Sequence, residues 1–193
     1  MDRDGTMTHE VGYVNHPSRL KLLPGTAAAV KACNDAGLLA IVVTNQAGAA
    51  RGYFTEDLIG VVHDRLRGLI DRASGGRLDA VYHCPHHPKE GPPGLRLDCE
   101  CRKPRPGMIE RACREHPVDR PRSYMVGDKI SDVEFGQRLG LRTVMVLTGY
   151  GRGEHEFQRA DWTVRPDHVA KDLRRAVEWI AGDLAARAAG AQA

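Results

Sequence analysis

Apolar residues follow two alternating patterns along this chain of 193 residues. Short continuous apolar runs, such as residues 38–43, are typical of strands buried on both faces of a sheet. Longer segments with apolar positions three and four apart, such as residues 55–73, indicate amphipathic helices. The predicted strands are 38–43, 78–84, 123–128, 142–149 and 160–164. The predicted helices are 23–38, 55–73, 105–116, 131–140 and 166–187.

This alternation predicts an α/β fold built on a mainly parallel sheet. Polar residues follow three of the apolar runs, among them Asn45 and Asp128. Because ligands bind at the carboxyl ends of the strands in open parallel sheets, we expect these residues to meet Lys103 and the opening acids at one edge. About 40 residues separate the opening acids from the next such position, which is too few for a large cap domain.

Composition and charge exclude several classes of protein. Apolar residues make up 41% of the chain and aromatic residues only 5%, so the core is expected to consist mainly of aliphatic side chains. The net charge of +3 is small, and the basic residues are not interleaved with aromatics, which argues against nucleic-acid binding. No apolar run reaches the ~18 residues of a membrane span, and no signal-peptide pattern follows Met1. We therefore expect a cytoplasmic monomer with one domain over residues 1–187, a disordered tail over residues 188–193, and no membrane or nucleic-acid partner.

Four short motifs occur in order: "DRDGT" from Asp2, "VVTNQAG" from Val42, "CRKPRPGM" from Cys101 and "MVGDKISD" from Met125. Together they resemble the motifs of the haloacid dehalogenase (HAD) phosphatase superfamily. The stretches "GYV", "ARGYFTE" and "CPHHP" followed by "CECRKP" resemble the branch that contains heptose bisphosphate phosphatases and histidinol-phosphate phosphatases. The resemblance extends to about Asp161 and implies a HAD-like Rossmannoid three-layer sandwich with a mainly parallel sheet and no large cap domain.

The resemblance implies hydrolysis of a phosphate monoester. This reaction needs a nucleophile, a proton for the leaving oxygen and positive charge around the phosphoryl group. Asp2 matches the family nucleophile, which becomes an aspartyl-phosphate, and Asp4 matches the general acid/base. Thr44 and Lys103 match the groups that stabilise the phosphoryl oxygens. Taken singly, each residue is more simply a turn acid or a surface lysine, and only the ordered set favours catalysis.

The resemblance also implies a catalytic magnesium ion. Mg²⁺ prefers oxygen ligands and usually keeps several waters. The matching ligands are the Asp2 carboxylate, the Asp4 backbone carbonyl and Asp128. Asp132, one helical turn further on, is expected to support the site without binding the ion directly.

A second group of residues has the spacing of a zinc site. Cys84-x-His86 and Cys99-x-Cys101 offer four soft or borderline ligands, the set typical of a closed structural Zn²⁺ site. The loop over residues 84–101 is rich in Pro and Gly and is expected to depend on the metal for its shape. The chain has five cysteines, and an odd number without an export signal argues against a disulfide framework. Free thiols in a loop are the alternative.

Substrate contacts are expected in the loop after the first motif, where the family places them, and at basic residues near the phosphate. Many relatives have an acid and a histidine at the start of that loop, and this chain departs from the pattern with Glu-Val. Arg102 and Lys129 are expected to reach a distal phosphate, and solvated surface charge is the alternative for Arg51 and Lys129. The candidate substrate contacts are Glu10, Val11, Gly12, Tyr13, Asn45, Gln46, Ala47, Arg51, Arg102 and Lys129.

The expected reaction is the Mg²⁺-dependent removal of the 7-phosphate of D-glycero-D-manno-heptose 1,7-bisphosphate, a small sugar phosphate. Histidinol-phosphate phosphatases share the motifs and the zinc loop, so that activity remains an alternative. A zinc-stabilised HAD-like binding protein without turnover is an alternative of another class.

The first motif lacks the strand that usually supports it. A strand takes about 5 residues, and relatives place several apolar residues before the nucleophile, whereas only Met1 precedes Asp2 here. An empty strand position would expose backbone hydrogen-bonding groups on both neighbouring strands. We therefore expect a truncated first strand, a true start a few residues upstream, and higher stability and activity when an apolar stretch precedes Asp2.

Overall fold

Five short parallel strands form the centre of the molecule. The structure, a computed structural model, describes residues 1–190. The strands are β1 (Ile41–Asn45), β2 (Ala80–Cys84), β3 (Tyr124–Gly127), β4 (Arg142–Val146) and β5 (His168–Ala170). One sheet pairs β1 with β2 and the other has the order β3-β4-β5, and all pairings are parallel. This confirms the predicted α/β architecture.

The helices connect these strands. They are α1 (Thr26–Asp35), α2 (Glu56–Ser74), α3 (Gly107–Glu115), α4 (Ile130–Arg138), the short turn α5 (Gly151–Gly153) and α6 (Leu173–Gly190). Short 3₁₀ segments cover Pro17–Arg19, Arg120–Arg122 and Arg159–Asp161, and a π-helical turn covers Glu154–Gln158. No separate cap domain is inserted within residues 1–190.

Two apolar cores lie on opposite faces of the strands, giving three layers. On one face α1, α2 and α6 bury residues such as Val30, Leu66 and Leu173. On the other face α3 and α4 bury residues such as Met108 and Phe135. Because both faces are covered by helices, the strands are apolar along most of their length, as their continuous apolar runs predicted.

The first two residues lie between the two sheets. The Met1 α-ammonium donates to the Ile41 carbonyl at 2.9 Å, and the Val43 N–H donates to the Met1 carbonyl at 2.9 Å. On the other side, the Asp2 N–H donates to the Val126 carbonyl at 2.9 Å. Met1 and Asp2 therefore bridge β1 and β3 as a two-residue stub of a central strand.

An apolar groove continues from this stub along the space between β1 and β3. Its volume is about 280 Å³. Its lining includes Met1, Leu38, Ile41, Tyr124, Met125 and Ile180. The groove lies where the sequence predicted a truncated strand.

Several element boundaries differ from the sequence prediction. The predicted strand at 160–164 is wrong, because the third strand of its sheet is β5 and residues 160–161 belong to a 3₁₀ turn. The last helix begins at Leu173 rather than at residue 166, and it extends to Gly190. The predicted disordered tail is therefore helical over residues 188–190, and residues 191–193 lie outside the described residues.

Among the described helices, none combines the length and the apolar character that crossing a membrane requires. The assignment of residues 1–187 to one domain stays a prediction, as do the monomeric state and the cytoplasmic location.

Candidate active site

Lys103 lies at the centre of a buried charged cluster. Its Nζ is 2.9 Å from Asp2 Oδ1 and 2.6 Å from Asp132 Oδ1. Burial by itself would lower the pKa of Lys103, but the two neighbouring carboxylates outweigh it and raise that pKa above its usual range. The lysine is therefore a fixed positive charge beside the carboxylate predicted to be the nucleophile.

The backbone at Lys103 is held against the end of β1. The Asn45 side chain donates to the Lys103 carbonyl at 3.2 Å and accepts from the Lys103 N–H at 3.0 Å. This reciprocal pair positions the lysine although 58 residues separate the two positions in the chain. Asn45, predicted to touch substrate, thus holds the catalytic loop in this structure.

Asp128 presents an unpartnered oxygen to the same cluster. The residue follows β3 and is fully buried. Its Oδ2 accepts from the Tyr150 N–H at 2.9 Å, whereas its Oδ1 is buried and has no hydrogen-bond partner among the described residues. Burial and the nearby charges of Asp2 and Asp132 raise the pKa of Asp128 to about 8. A buried carboxylate in this situation needs a cation or a proton.

The three carboxylates are arranged to hold a hard cation. Each of Asp2, Asp128 and Asp132 offers an oxygen within 4.8 Å of the others. Both oxygens of Asp132 already have partners, since Oδ1 faces Lys103 and Oδ2 accepts from the Lys129 N–H at 3.2 Å. The free oxygen of Asp128 and the carboxylate of Asp2 therefore fit Mg²⁺, which prefers such ligands.

Glycines allow the first motif to approach Asp128 closely. A Cβ on Gly5, whose φ is +76°, would lie 2.1 Å from Asp128 Oδ2, and one on Gly149 would lie 2.2 Å from the same atom. Thr148 Oγ1 also donates to the Gly5 carbonyl at 2.6 Å. The loop after β4 thus helps to fix the first motif beside Asp128.

Asp4 and Thr44 are linked through Gln46. The Gln46 Nε2 donates to Asp4 Oδ2 at 2.8 Å and lies 3.0 Å from Thr44 Oγ1. Burial tends to raise the pKa of Asp4, but the Arg3 charge and the hydrogen bonds to the carboxylate outweigh it, so the pKa is lowered. Gln46, predicted as a substrate contact, is buried behind these two residues.

The predicted zinc ligands converge in the loop after β2. The Sγ atoms of Cys84 and Cys99 are 3.4 Å apart, and those of Cys99 and Cys101 are 3.2 Å apart. His86 Nδ1 lies 3.3 Å from Cys101 Sγ and 3.7 Å from Cys84 Sγ. Metal–ligand bonds of about 2.0–2.3 Å place the ligand atoms of a tetrahedron at similar separations. The four residues therefore fit a closed Zn²⁺ site, and the site adjoins the catalytic loop through Arg102, which donates to the His86 carbonyl at 3.1 Å.

Three of the predicted substrate contacts, Tyr13, Arg51 and Lys129, contact neighbouring side chains. Tyr13 stacks on Tyr53 with ring centroids 4.2 Å apart, and its hydroxyl contacts Arg51. Arg51 also pairs with Glu90 at 3.1 Å. Lys129 lies over the Tyr150 ring at 4.2 Å. Their role in binding substrate stays a prediction.

The loop that begins with Glu10 is partly occupied with its own contacts. Glu10 Oε1 accepts from the Gly12 N–H at 2.6 Å, and the Val11 carbonyl accepts from Arg19 at 3.1 Å. Ala47 lies half-buried after β1. These contacts shape the loop but assign no substrate atom to it.

The sequence did not single out Arg3, Thr148 or Tyr150. Arg3 stands between the two opening acids, and its position there was the available signal. Thr148 and Tyr150 follow β4, so a polar segment after a fourth apolar run would have pointed to them.

A parallel α/β fold with a carboxylate–lysine cluster at the strand ends defines a hydrolase of the HAD-like class. Residues 100–176 match the HAD-hydrolase-like family. Over 194 residues, the chain is 41% identical to the D-glycero-D-manno-heptose-1,7-bisphosphate 7-phosphatase of Thermosynechococcus vestitus, covering 97% of this chain and 96% of that protein. The chain belongs to the heptose-1,7-bisphosphate 7-phosphatase family of HAD-like hydrolases.

A second relative and a solved structure point to the same family. The D-glycero-beta-D-manno-heptose-1,7-bisphosphate 7-phosphatase of Haemophilus ducreyi is 39% identical over 162 residues, covering 83% of this chain and 88% of that protein. A solved structure of the D,D-heptose 1,7-bisphosphate phosphatase from B. bronchiseptica, complexed with magnesium and phosphate, superposes with a TM-score of 0.80 and 30% identity. The superposition covers 94% of this chain and 96% of that one.

Proposed function

We propose that this chain removes the 7-phosphate of D-glycero-D-manno-heptose 1,7-bisphosphate by way of an aspartyl-phosphate on Asp2. The observation that carries the proposal is the match over 97% of the chain to a phosphatase of this specificity. The buried cluster of Asp2, Lys103 and Asp128 supports it, because these groups suit the chemistry of a phosphate monoester.

In the first step, Asp2 attacks phosphorus and the bond from phosphorus to the sugar oxygen breaks. Lys103 and the Thr44 hydroxyl stabilise the phosphoryl oxygens. Asp4 is ionised in the free protein, takes up a proton when the dianionic phosphate binds beside it, and gives that proton to the leaving oxygen. In the second step, Asp4 takes a proton from water, which attacks the aspartyl-phosphate, releases inorganic phosphate and regenerates Asp2.

Magnesium fits the proposed chemistry. The Asp2 carboxylate, the Asp4 carbonyl and the unpartnered oxygen of Asp128 would hold Mg²⁺, with Asp132 supporting Lys103 from behind. When bound, Mg²⁺ would offset the repulsion between the carboxylates and the phosphate. Zinc held by the four ligands of the loop would keep that loop and Lys103 in place.

The test is a comparison of kcat/KM for heptose 1,7-bisphosphate and for histidinol phosphate, with Mg²⁺ present. We expect at least a hundredfold preference for the bisphosphate. Asp2→Asn should abolish turnover because it removes the nucleophile, whereas Asp64→Asn, at an exposed acid of α2, should have no effect. A preference for histidinol phosphate, or full activity of Asp2→Asn, would overturn the proposal.

A further inference from the structure

Arg3 is a charged residue at the centre of the fold. Its side chain is only 1% exposed and is among the largest fully buried side chains of the molecule. Burying a guanidinium is costly unless nearby groups accept its hydrogen bonds. The residues that Arg3 contacts are therefore informative about why it is there.

Arg3 binds the Asp4 carboxylate through two parallel hydrogen bonds. Its Nε donates to Asp4 Oδ1 at 3.0 Å, and its Nη2 donates to Asp4 Oδ2 at 2.7 Å. This is the bidentate geometry in which the planar fork of arginine fixes the orientation of a carboxylate. Lysine, with a point charge, does not fix that orientation.

Gln46 provides a second contact on the same carboxylate. Its Oε1 accepts from Arg3 Nη2 at 2.8 Å while its Nε2 donates to Asp4 Oδ2 at 2.8 Å. Thr8 Oγ1 lies 3.3 Å from both Asp4 Oδ1 and the Arg3 carbonyl, and its single hydrogen is donated to one of them. Asp4 Oδ2 thus accepts two hydrogen bonds, whereas Oδ1 keeps a lone pair for a proton when Thr8 donates to the backbone.

This network holds the Asp4 side chain in one orientation, while Arg3 Nη1 is buried with no hydrogen-bond partner among the described residues. It also joins Asp4 to the site for the phosphoryl group, because Gln46 contacts Thr44 Oγ1 at 3.0 Å. A counter-charge placed only to balance Asp4 would not need both the fork of Arg3 and the bridging amide of Gln46.

We propose that Arg3 is a positioning residue that, together with Gln46, aims the Asp4 carboxylate at the leaving oxygen. The inference rests on the proposed function, in which Asp4 is the general acid/base. Arg3 itself touches neither substrate nor the reacting atoms. Substitution of Arg3 should therefore slow only those steps in which Asp4 acts as the acid or the base.

Two substrates separate positioning from general stability. An alkyl phosphate such as heptose 1,7-bisphosphate needs a proton on its leaving oxygen, whereas p-nitrophenyl phosphate releases a stable phenolate without one. The ratio kcat/KM reports the steps up to phosphorylation of Asp2. For Arg3→Met we expect kcat/KM to fall about 10²-fold on the bisphosphate and less than about threefold on p-nitrophenyl phosphate.

The second step supplies an independent readout. Hydrolysis of the aspartyl-phosphate needs Asp4 as a base with either substrate, so kcat of Arg3→Met on p-nitrophenyl phosphate should fall. A rapid burst of one p-nitrophenolate molecule per enzyme molecule should then precede a slower steady-state release. Arg3→Lys, which keeps the charge but not the fork, should also show this burst.

A double-mutant comparison tests whether Arg3 acts through Asp4. Adding Arg3→Met to Asp4→Asn should change kcat/KM on the bisphosphate by less than about threefold, because residues that act as a unit are not additive. Arg67→Met is a matched control, since Arg67 of α2 donates to the Leu78 carbonyl at 2.6 Å and forms no hydrogen bond or ion pair with Asp4 or Gln46 among the described residues. It should leave the ratio between the two substrates unchanged.

Equal losses of kcat/KM on both substrates, with effects that multiply in the double mutant, would overturn the inference. If Arg3→Met does not fold, Arg3→Lys replaces it, because lysine keeps the buried positive charge but not the two parallel bonds to Asp4. Arg3→Lys should show the same selective loss, and an unselective loss would refute the proposal. If Asp4→Asn shows substrate dependence and Arg3→Met does not, only the role of Arg3 fails. If Asp4→Asn shows none, the proposed catalytic role of Asp4 fails as well.

Discussion

Adding an apolar segment before Met1 should stabilise the protein. The stub formed by Met1 and Asp2 leaves the groove between β1 and β3 open, and the β-strand edges at Ile41 and Tyr124 continue along it. The perturbation is a four-residue extension, Val-Ile-Phe-Leu, placed upstream of Met1. It would run parallel to both neighbours and continue the bonds that Met1 and Asp2 begin.

The expected gain follows from the size of the groove. Filling a sealed cavity of about 280 Å³ is worth roughly 7 kcal/mol at about 24 cal/mol per Å³, and access of solvent to one side reduces this to about half. Four new backbone hydrogen bonds add about 1 kcal/mol each, and ordering four residues costs about 1–2 kcal/mol each. At the middle of these ranges the net gain is about 1.5 kcal/mol, which raises Tm by about 3–6 °C in a chain of this length.

A second effect acts in the same direction. Burial lowers the pKa of the Met1 α-ammonium to about 6, so the charged amine is disfavoured where it lies. The extension replaces it with a neutral amide that keeps the N–H donated to the Ile41 carbonyl. Since Met1 adjoins the nucleophile, we also expect activity to rise.

The assay is thermal unfolding of the extended and original chains, together with kcat/KM on heptose 1,7-bisphosphate. The control is a polar extension of equal length, Gly-Ser-Gly-Ser, which removes the terminal charge without apolar side chains. If the apolar extension raises Tm no more than the polar one, apolar side chains do not stabilise the fold by filling the groove, and the prediction is wrong.

Three further predictions concern metal binding, acid stability and the first motif. Cys99→Ser should lower bound zinc from one per chain to less than half and lower Tm, while Cys113→Ser leaves zinc unchanged; metal analysis decides, and an unchanged zinc content would contradict the site. Burial lowers the pKa of His63 to about 3, so the stability it contributes is present above the unfolded value near 6.5 and is lost as pH falls toward 3. Between pH 7 and pH 5, the free energy of unfolding of His63→Leu should therefore fall by about 2 kcal/mol less than that of the wild type, as measured by denaturant titration. Equal falls in the two proteins would refute this. Gly5→Ala should reduce kcat/KM at least a hundredfold, because its Cβ would lie 2.1 Å from Asp128 Oδ2; activity within threefold of wild type would show that the motif tolerates the shift.

The sequence predicted the elements whose patterns are long or repeated. The helix predicted over residues 55–73 is Glu56–Ser74 in the structure, since its apolar stripe covers many turns. The strand β5 was missed because it has three residues and depends on a tertiary contact. Asp167, just before β5, accepts from the Thr143 N–H at 2.8 Å, and no local pattern reveals such a contact.

The site was predictable to the extent that strand ends meet at one edge. This rule placed Lys103 and Asp128 together from sequence positions 25 apart. It did not reveal that Arg3 and Gln46 enclose Asp4, because buried side-chain partners depend on how side chains are oriented in the packed fold. It also did not show that Asn45 holds the Lys103 backbone.

The most direct test of the proposed function is to follow heptose 1,7-bisphosphate by ³¹P NMR in the presence of the purified protein and Mg²⁺. We predict that the signal of the 7-phosphate is replaced by that of inorganic phosphate while the signal of the 1-phosphate persists, and that the spectrum does not change with Asp2→Asn. Loss of the 1-phosphate signal would contradict the proposed function. So would an unchanged spectrum of heptose 1,7-bisphosphate under conditions in which the same protein hydrolyses histidinol phosphate.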